Sequence, residues 1–284
     1  MIWILLVVFL ALLVWVLWGN RALMLSHLTV SSERLPKGFD GYRIAHISDV
    51  HNTEYGKNNE KLLGMIKDAK PEIIVITGDL LDSRRTNMEK ALRFTKGALE
   101  IAPCYYVMGN HEARNPAYYG DLKAKMTEQG VVVLDDKCVE LERNGDTVQL
   151  LGVNDASFEA GDPPLPYADV MDGRLQAVPR EEAMFTILLS HRPELFPTYA
   201  AHKLDLVFSG HAHGGQMQIP FIGGLIAPNQ GFFPKYDKGL YTEGNTNMVV
   251  SRGIGNSLIP LRINNRPEVV LVELCCGETE PPVS

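Results

Sequence analysis

Five short polar clusters carry the residues of this chain that could do chemistry, and each comes directly after an apolar run. They combine carboxylates, an amide and imidazoles, and five of the 8 histidines lie in them. Aspartate together with imidazole suits a divalent cation such as Mn, Fe or Zn better than Ca. The residue types therefore predict a metal site. The clusters are Asp49-Val50-His51, Gly78-Asp79-Leu80-Leu81-Asp82, Gly109-Asn110-His111-Glu112, His191 and Gly210-His211-Ala212-His213.

The apolar runs before the clusters predict buried strands that end where a ligand begins. In an open α/β sheet, ligands collect at the carboxyl ends of strands, so five such ends would bring the clusters to one edge. Asp49 and His51 lie two residues apart, and in an extended segment both side chains would point the same way. The runs are residues 44–47, 73–76, 105–108, 185–189 and 206–208.

Each cluster, taken alone, also has a purely structural interpretation. Asp49 and His51 could be a surface pair, Asp82 could cap a helix, and residues 109–112 could form an ordinary turn. Asp79 is harder to explain in this way, because a carboxylate at the end of an apolar strand is costly to bury without a partner. Together the clusters supply two ligand sets and a spare acid. Two ions about 3.5–4 Å apart would clamp both oxygens of an in-line displacement.

The pattern between the clusters predicts an α/β fold with two sheets. Up to residue 130, strands alternate with helical faces in βαβαβ order, which favours parallel pairing. Beyond it, short strands flank a turn at Asn144-Gly145, a helix is expected near residues 180–183, and strands are expected at 247–251 and 268–274. Two sheets packed face to face, with helices outside, accommodate both halves.

The first 18 residues contain no charged side chain and are long enough to cross a bilayer, at about 1.5 Å per residue. A cleaved signal peptide is the alternative, but no basic residue precedes the run and no small-x-small cleavage site follows it. We therefore expect a membrane anchor at residues 1–20, a connector at 21–40, a catalytic domain at 41–276 and a disordered tail at 277–284.

Three basic residues, Arg21, Arg34 and Lys37, follow the predicted span and none precedes it. By the positive-inside tendency, this asymmetry favours a single-pass protein with its globular part on the cytoplasmic face of the cell membrane. The net charge of -7 and the absence of a basic block longer than Arg84-Arg85 argue against nucleic acid as a partner. The sequence does not predict an oligomeric state.

In their order along the chain, the five clusters resemble the five motifs of the calcineurin-like metallophosphoesterases, over about residues 42–215. The segments Gly210–Gln216, Asn229-Gln230-Gly231 and Ser251-Arg252-Gly253 resemble the membrane-anchored bacterial branch of that family. The resemblance implies a four-layered α/β-β-α sandwich with a site for two divalent metal ions.

The resemblance also implies roles for individual residues. His111 would protonate the leaving oxygen or steady the charge of the transition state, and Asp82 would orient His111. Asp79 would bridge the two ions. The first ion would be held by Asp49, His51, Asp79 and His213, and the second by Asp79, Asn110, His191 and His211.

Two arginines are candidates for substrate contacts. Arg114 lies three residues beyond His111 and could bind substrate phosphate, although an exposed structural role is the alternative. Arg252 lies near the carboxyl end between Ser251 and Gly253. The aromatic segment 228–236 could be a lid, a membrane-surface contact or a packed loop.

The expected function is that of a membrane-anchored dinuclear phosphoesterase. It would hydrolyse a phosphodiester, phosphomonoester or pyrophosphate bond by direct attack of a metal-bridging hydroxide. The anchor suggests a substrate at the bilayer surface, such as a phospholipid or, since some relatives resemble UDP-diacylglucosamine hydrolases, UDP-diacylglucosamine. A protein or small-molecule phosphatase is the enzymatic alternative. A non-catalytic metal-binding domain that recruits a partner to the membrane is the alternative of a different class.

Overall fold

The computed structural model describes residues 1–158, 165–256 and 260–277. Its helices are α1 (Ile2–Gly19), α2 (Glu60–Ala69), α3 (Met88–Leu99), α4 (Asn110–Ala113), α5 (Pro116–Gln129), α6 (Tyr167–Ala177) and α7 (Phe196–Ala201). Its strands are β1 (Met24–Ser32), β2 (Tyr42–Ile47), β3 (Ile73–Thr77), β4 (Cys104–Val107), β5 (Val132–Val133), β6 (Lys137–Arg143), β7 (Asp146–Gly152), β8 (Thr186–Leu189), β9 (Leu206–Ser209), β10 (Gln218–Ile219), β11 (Gly223–Gly224), β12 (Ile226–Ala227), β13 (Gly231–Phe232), β14 (Gly239–Glu243), β15 (Thr246–Val250) and β16 (Glu268–Cys276).

Two six-stranded sheets organise these elements. The first has the order β1-β16-β2-β3-β4-β5, and its members β2 to β5 are parallel, as the βαβαβ pattern predicts. The second has the order β14-β15-β9-β8-β7-β6, with β7, β8 and β9 parallel. Two small hairpins, β10 with β11 and β12 with β13, lie outside the sheets.

Four layers result from burying both faces of each sheet. One apolar cluster lies between the sheets and contains Ile44, Val75 and Phe208. A second packs the first sheet against α2, α3 and α5, and a third packs the second sheet against α6 and α7. Because β3 is buried on both faces, it reads as a continuous apolar run rather than an alternating one. The predicted α/β-β-α sandwich is confirmed.

The segment expected to be a connector, residues 21–40, contains an integral strand of the first sheet. Strand β1 pairs in parallel with β16 along its whole length, from Met24 opposite Glu268 to Ser32 opposite Cys276. The pairing partner lies at the other end of the chain, so a local pattern could not reveal it. The catalytic part of the molecule therefore begins before residue 41.

Two other expectations concern the second half of the chain. The helix expected near residues 180–183 is wrong: α6 ends at Ala177, and the segment that follows leads directly into β8. All but the first residue of the tail expected at 277–284 lies outside the described part of the chain, as do residues 159–164 and 257–259.

Candidate metal centre

Five of the seven predicted metal ligands have left-handed backbone torsions, which are uncommon for residues other than glycine. Their φ angles are +52° at Asp49, +47° at His51, +53° at Asp79, +63° at His211 and +49° at His213. Each such residue costs about 1–2 kcal/mol, and strain of this kind gathers at functional sites. The extended geometry expected for Asp49 and His51 is wrong, because both residues follow the end of β2 with left-handed torsions.

Glycines allow the strand ends to approach one another closely. A Cβ atom on Gly78, whose φ is +85°, would collide with the backbone of Gly109 at the end of the neighbouring strand. A Cβ atom on Gly210 would collide with the side chains of Ser48 and Asp49. The glycines that precede the ligands therefore allow four strand ends to approach in two pairs, β3 with β4 and β9 with β2, and the polar side chains that follow meet in one place.

A first half-site is formed by Asp49, His51, Asp79 and His213, all of them buried. The His51 Nε2 atom lies 3.3 Å from His213 Nε2, 3.8 Å from Asp49 Oδ1 and 3.6 Å from Asp79 Oδ2. The His213 Nε2 atom lies 3.3 Å from Asp49 Oδ1. Asp49, His51 and His213 each offer one atom within 4.8 Å of the others, and His51 forms a second such group with Asp79 and His111.

A second half-site is formed by Asp79, Asn110, His191 and His211. The His191 Nε2 atom lies 3.4 Å from Asp79 Oδ2, 3.2 Å from Asn110 Oδ1 and 3.2 Å from His211 Nδ1. The same Asp79 oxygen, Oδ2, faces both half-sites. All seven residues expected from the sequence to bind metal therefore meet in two adjoining groups.

These donor atoms fit divalent cations. In a tetrahedral site with metal–ligand bonds near 2.1 Å, ligand atoms lie about 3.4 Å from one another. The seven distances given above between neighbouring ligand atoms lie between 3.2 and 3.8 Å. Carboxylate, amide and imidazole groups this close together, and buried from water, need positive charge between them.

Hydrogen bonds fix which nitrogen of each second-half-site histidine faces inward. His191 Nδ1 donates to the Thr77 carbonyl oxygen over 2.6 Å, so Nε2 is the nitrogen directed into the half-site. His211 Nε2 donates to Asn229 Oδ1 over 2.9 Å, which leaves Nδ1 directed inward. The Asn229 oxygen also accepts from Arg192 Nη1, so the orientation of the amide is set.

The arginine behind Asn229 is itself held by a buried carboxylate. Arg192 donates from Nε to Asp155 Oδ2 over 2.8 Å and from Nη2 to Asp155 Oδ1 over 3.0 Å. Burial favours the neutral acid, yet Arg192 holds the pKa of Asp155 below its ordinary value. A rigid chain of contacts, from Asp155 through Arg192 and Asn229, therefore positions His211.

Burial also sets the charge of the histidines. It lowers the pKa of His51 to about 4 and that of His211 to about 3, so both are neutral at pH 7, which is the form that binds metal. Burial would also lower the pKa of His191, but the Asp79 carboxylate beside it raises that pKa to about 10. A cation bound in the second half-site would displace this proton.

His111 lies beside the first half-site, with its ring centroid 4.5 Å from that of His51 and its Nε2 3.9 Å from Asp79 Oδ2. Its Nδ1 accepts a hydrogen bond from the Ser83 backbone N–H over 3.0 Å, which assigns the ring proton to Nε2. Asp82, expected to orient His111, has its Oδ1 3.6 Å from Nδ1, beyond hydrogen-bond range. That oxygen accepts from the backbone N–H of Arg84 instead, so Ser83 holds the ring.

Glu112 joins the loops that carry the ligands. Its buried carboxylate accepts from the backbone N–H groups of Asp79 and Gly109 over 2.8 and 2.9 Å, and from that of Leu81 over 2.9 Å. The Asp79 carboxylate in turn accepts from the His111 N–H. Glu112 is part of the third cluster in the sequence, but its spacing gave no sign of this clamping role.

The two arginines expected to contact substrate lie in different places. Arg114 is exposed at the end of α4, close enough that its charge adds to burial, the main cause, in lowering the pKa of His111. Arg252 is not part of either half-site; it lines a cavity beside α1, with Nε 3.6 Å from Glu268 Oε1. In the aromatic segment 228–236, Phe232 and Phe233 are exposed and Tyr236 is buried.

Sequence comparisons agree with this geometry. The calcineurin-like phosphoesterase family model matches residues 42–215. The metallophosphoesterase YkuE of Bacillus subtilis is 30% identical over 253 residues, which cover 87% of this chain and 83% of that protein. The phosphodiesterase YaeI of Escherichia coli is 26% identical over 82% of each chain. A zebrafish transmembrane protein with a metallophosphoesterase domain is 28% identical, over 85% of this chain and 55% of its own length.

The match extends over most of the chain and includes all five clusters. Members of this family depend on two metal ions, and the grouped aspartates and histidines at the strand ends provide the ligands that such ions require. The protein belongs to the calcineurin-like phosphoesterase family and is a metal-dependent phosphoesterase.

Proposed function

We propose that this protein is a membrane-anchored, two-metal phosphodiesterase that acts on a substrate at the bilayer surface. The observation that carries the proposal is the position of Asp79 Oδ2, which is 3.6 Å from His51 Nε2 and 3.4 Å from His191 Nε2. One carboxylate oxygen directed into both half-sites is the arrangement that a bridging ligand needs.

In this proposal the first half-site (Asp49, His51, Asp79 and His213) and the second (Asp79, Asn110, His191 and His211) hold one divalent cation each. Bound cations would lower the pKa of water so that hydroxide exists at neutral pH, and would neutralise phosphate charge. The mixture of nitrogen and oxygen donors suits Mn, Fe or Zn.

His111 acts as a hydrogen-bond donor to the substrate. Because the Ser83 N–H points at Nδ1, the ring proton lies on Nε2, the atom that faces Asp79. A neutral ring held in this way donates to a phosphoryl or leaving oxygen and stabilises the charge that develops there. Of the two roles implied by the family resemblance, this tautomer favours charge stabilisation over proton transfer. Arg114, exposed nearby, is the remaining candidate for contact with the substrate phosphate.

Helix α1 anchors the enzyme. Its 18 residues carry no charge, none is buried against the rest of the chain, and at about 1.5 Å per residue they extend close to the thickness of a hydrocarbon core. The anchor is residues 1–20, and the remaining chain to residue 276 forms the catalytic part. Arg21, Arg34 and Lys37 favour the cytoplasmic face.

Fusions at the carboxyl terminus test this topology. A green fluorescent protein fusion should fluoresce and an alkaline phosphatase fusion should be inactive, since the first folds in the cytoplasm and the second requires export. The reverse pattern would place the catalytic part outside.

A phosphodiester next to the membrane is the proposed substrate class, with phospholipids and nucleotide-linked lipids such as UDP-diacylglucosamine as candidates. Two relatives support this choice, since one is a phosphodiesterase and another is a transmembrane protein.

The test uses the 284-residue chain in detergent, because removing residues 1–30 to make it soluble would delete most of β1. Protein loaded with Mn, Fe or Zn is assayed against a soluble diester, a soluble monoester, a phosphoprotein, a phospholipid and a nucleotide-linked lipid. We expect turnover of diesters with two ions bound per chain, and none after chelation. Faster hydrolysis of the monoester or the phosphoprotein would favour the phosphatase alternative. No turnover with any metal would contradict the proposal.

A further inference from the structure

A cavity of about 400 Å³ opens where α1 meets the catalytic part of the molecule. Four of its lining residues are basic and none is acidic, although the chain as a whole has a net charge of -7. Two tryptophans from the last turns of α1 complete the wall on the membrane side. The charged and aromatic members of the lining are Trp15, Trp18, Lys238, Arg252, Arg262 and Arg266.

The positive charge of this cavity is poorly neutralised by the protein. Arg262 is 1% exposed, and its guanidinium donates to neutral oxygens: Asn256 Oδ1 over 2.9 Å and the carbonyls of Arg252 and Gly255. Within the described residues, Arg262 forms no ion pair with a carboxylate. A buried cation without an anionic partner is costly, so an anion bound in the cavity would be strongly favoured.

The other basic groups repeat this pattern. Lys238 Nζ donates to Gln218 Oε1 over 2.6 Å, and Arg266 Nε donates to the Ala22 carbonyl over 2.8 Å. Neither forms an ion pair with a carboxylate in the described part of the chain. Arg252 alone has one, with Glu268, whose carboxylate also accepts from the Ser26 hydroxyl. Within the described residues, the four cationic side chains therefore form a single ion pair with a carboxylate.

The cavity is fixed at the level where the anchor leaves the membrane. Asn20 and Arg262 exchange two hydrogen bonds of 2.7 Å, and the Arg266 guanidinium lies 5.0 Å from the centre of the Trp18 ring. Tryptophans concentrate at the headgroup level of bilayers. In an anchored protein, these contacts would hold the four cations at the depth of lipid phosphates.

A short hairpin beside the cavity adds an apolar surface. Gln218, in the cavity wall, begins β10, and the tip of the β10–β11 hairpin exposes Phe221 fully and Ile222 by 65%. Phe221 is three residues from Gln218 along the chain, so it lies at most about 10 Å from the wall. Exposed apolar side chains this close to the end of α1 are suited to contact with acyl chains.

We propose that this cavity binds the phosphate-bearing headgroup of an anionic lipid from the leaflet in which α1 ends. The inference rests on the proposed membrane anchoring and goes beyond the proposed reaction. A lipid fits better than free phosphate, because the cavity combines cations with tryptophans and an apolar hairpin. Asn265, in the cavity wall, donates to the His213 carbonyl over 2.7 Å, so a bound headgroup would adjoin the first half-site.

Lipid retention tests the proposal. The 284-residue chain is equilibrated in mixed micelles with equal amounts of phosphatidylglycerol and phosphatidylcholine of the same acyl chains, and bound lipids are counted by native mass spectrometry. We expect selective retention of phosphatidylglycerol. In K238Q/R266Q, selectivity should fall about tenfold, because two charge-assisted contacts are lost. Equal retention of both lipids by the unaltered protein would overturn the proposal.

A matched control changes the net charge equally but elsewhere. K67Q/K96Q removes two exposed lysines from α2 and α3, and it should keep the selectivity of the unaltered protein. A loss as large as that in K238Q/R266Q would mean that selectivity reflects overall charge, which overturns the site. If K238Q/R266Q does not fold, the single variant K238Q tests the site instead, and its selectivity for phosphatidylglycerol should fall about threefold.

Two further measurements distinguish a lipid site from a site for soluble phosphate, and the cavity proposal from the proposed reaction. Glycerol phosphate or inorganic phosphate at millimolar concentration should not displace the lipid; full displacement would assign the cavity to a soluble phosphate. Hydrolysis of a soluble diester is measured on the same preparation. Turnover without lipid selectivity contradicts only the cavity, and selectivity without turnover contradicts only the proposed phosphodiesterase reaction.

Discussion

The two half-sites share Asp79 but differ in how their histidines are held from behind. In the second, the outer nitrogens of His191 and His211 donate to Thr77 and Asn229. In the first, Nδ1 of His51 and Nδ1 of His213 have no hydrogen-bond partner among the described residues. The hydrogen bond made by the other nitrogen fixes the orientation and tautomer of a histidine ligand, and its loss typically costs 10–100-fold in metal affinity.

This difference suggests that the two half-sites bind their ions with different affinities. The second half-site is preorganised by the chain from Asp155 through Arg192 to Asn229, so we expect it to hold its ion more tightly. The first half-site adjoins His111 and the cavity beside α1, and we expect its ion to exchange more readily. Three substitutions test whether this asymmetry is real.

The largest effect is expected from Asp79→Asn, because Asp79 belongs to both half-sites. An amide cannot supply the negative charge that both ions need, so activity should fall to the level of metal-free protein and neither ion should bind fully. Metal content and diester hydrolysis are measured together. Asp68→Asn, an exposed change on α2, is the control. Activity surviving in Asp79→Asn would remove the basis for a shared ligand.

His111→Ala should have the next largest effect. Losing a donor to developing charge typically costs about 10²–10³-fold in turnover, while both ions should remain bound, because His111 lies beside the first half-site without being assigned to it. If one ion is lost instead, His111 is a ligand of the first half-site. The two half-sites would then differ in composition as well as in support.

Asn229→Ala should have the smallest effect and the most specific one. It removes the acceptor for His211 Nε2, so only the ion of the second half-site should weaken, by about 10–100-fold. Titration with chelators of graded affinity should show two steps of metal loss in the unaltered protein. In the variant, the two steps should lie closer to each other. Asn245→Ala, at an exposed asparagine, should leave both steps unchanged. A single step in the unaltered protein would mean that the half-sites are equivalent.

The parts of this molecule that were predictable from sequence are those determined by neighbouring residues. Strand β3 and helices α2 and α3 follow from apolar spacing, and each metal-binding cluster directly follows a strand. Left-handed torsions at Asp49 and Asp79 did not follow, because they depend on close contact between strand ends. Ser83, placed one residue beyond Asp82, holds His111 only because of how the loop after β3 turns.

Contacts between distant segments could not be predicted from the local pattern of apolar and polar residues. Arg192 looks unremarkable in the sequence, and Asn229 stands out only through the family resemblance of its segment. The role of both depends on a third segment, at Asp155, folding against them. The cavity beside α1 draws its basic residues from positions 238–266 and its tryptophans from the first 18 residues. The pairing of β1 with β16 likewise joins opposite ends of the chain.

That last pairing has a consequence for biosynthesis. Strand β1 leaves the ribosome with α1, but its partner β16 is made only after nearly all of the catalytic part. At about 5–20 residues per second, β1 waits on the order of ten seconds or more with its backbone groups unpaired. Unpaired edges of this kind invite association with other chains. The yield of folded enzyme should therefore be limited by how quickly β16 reaches β1 of its own chain.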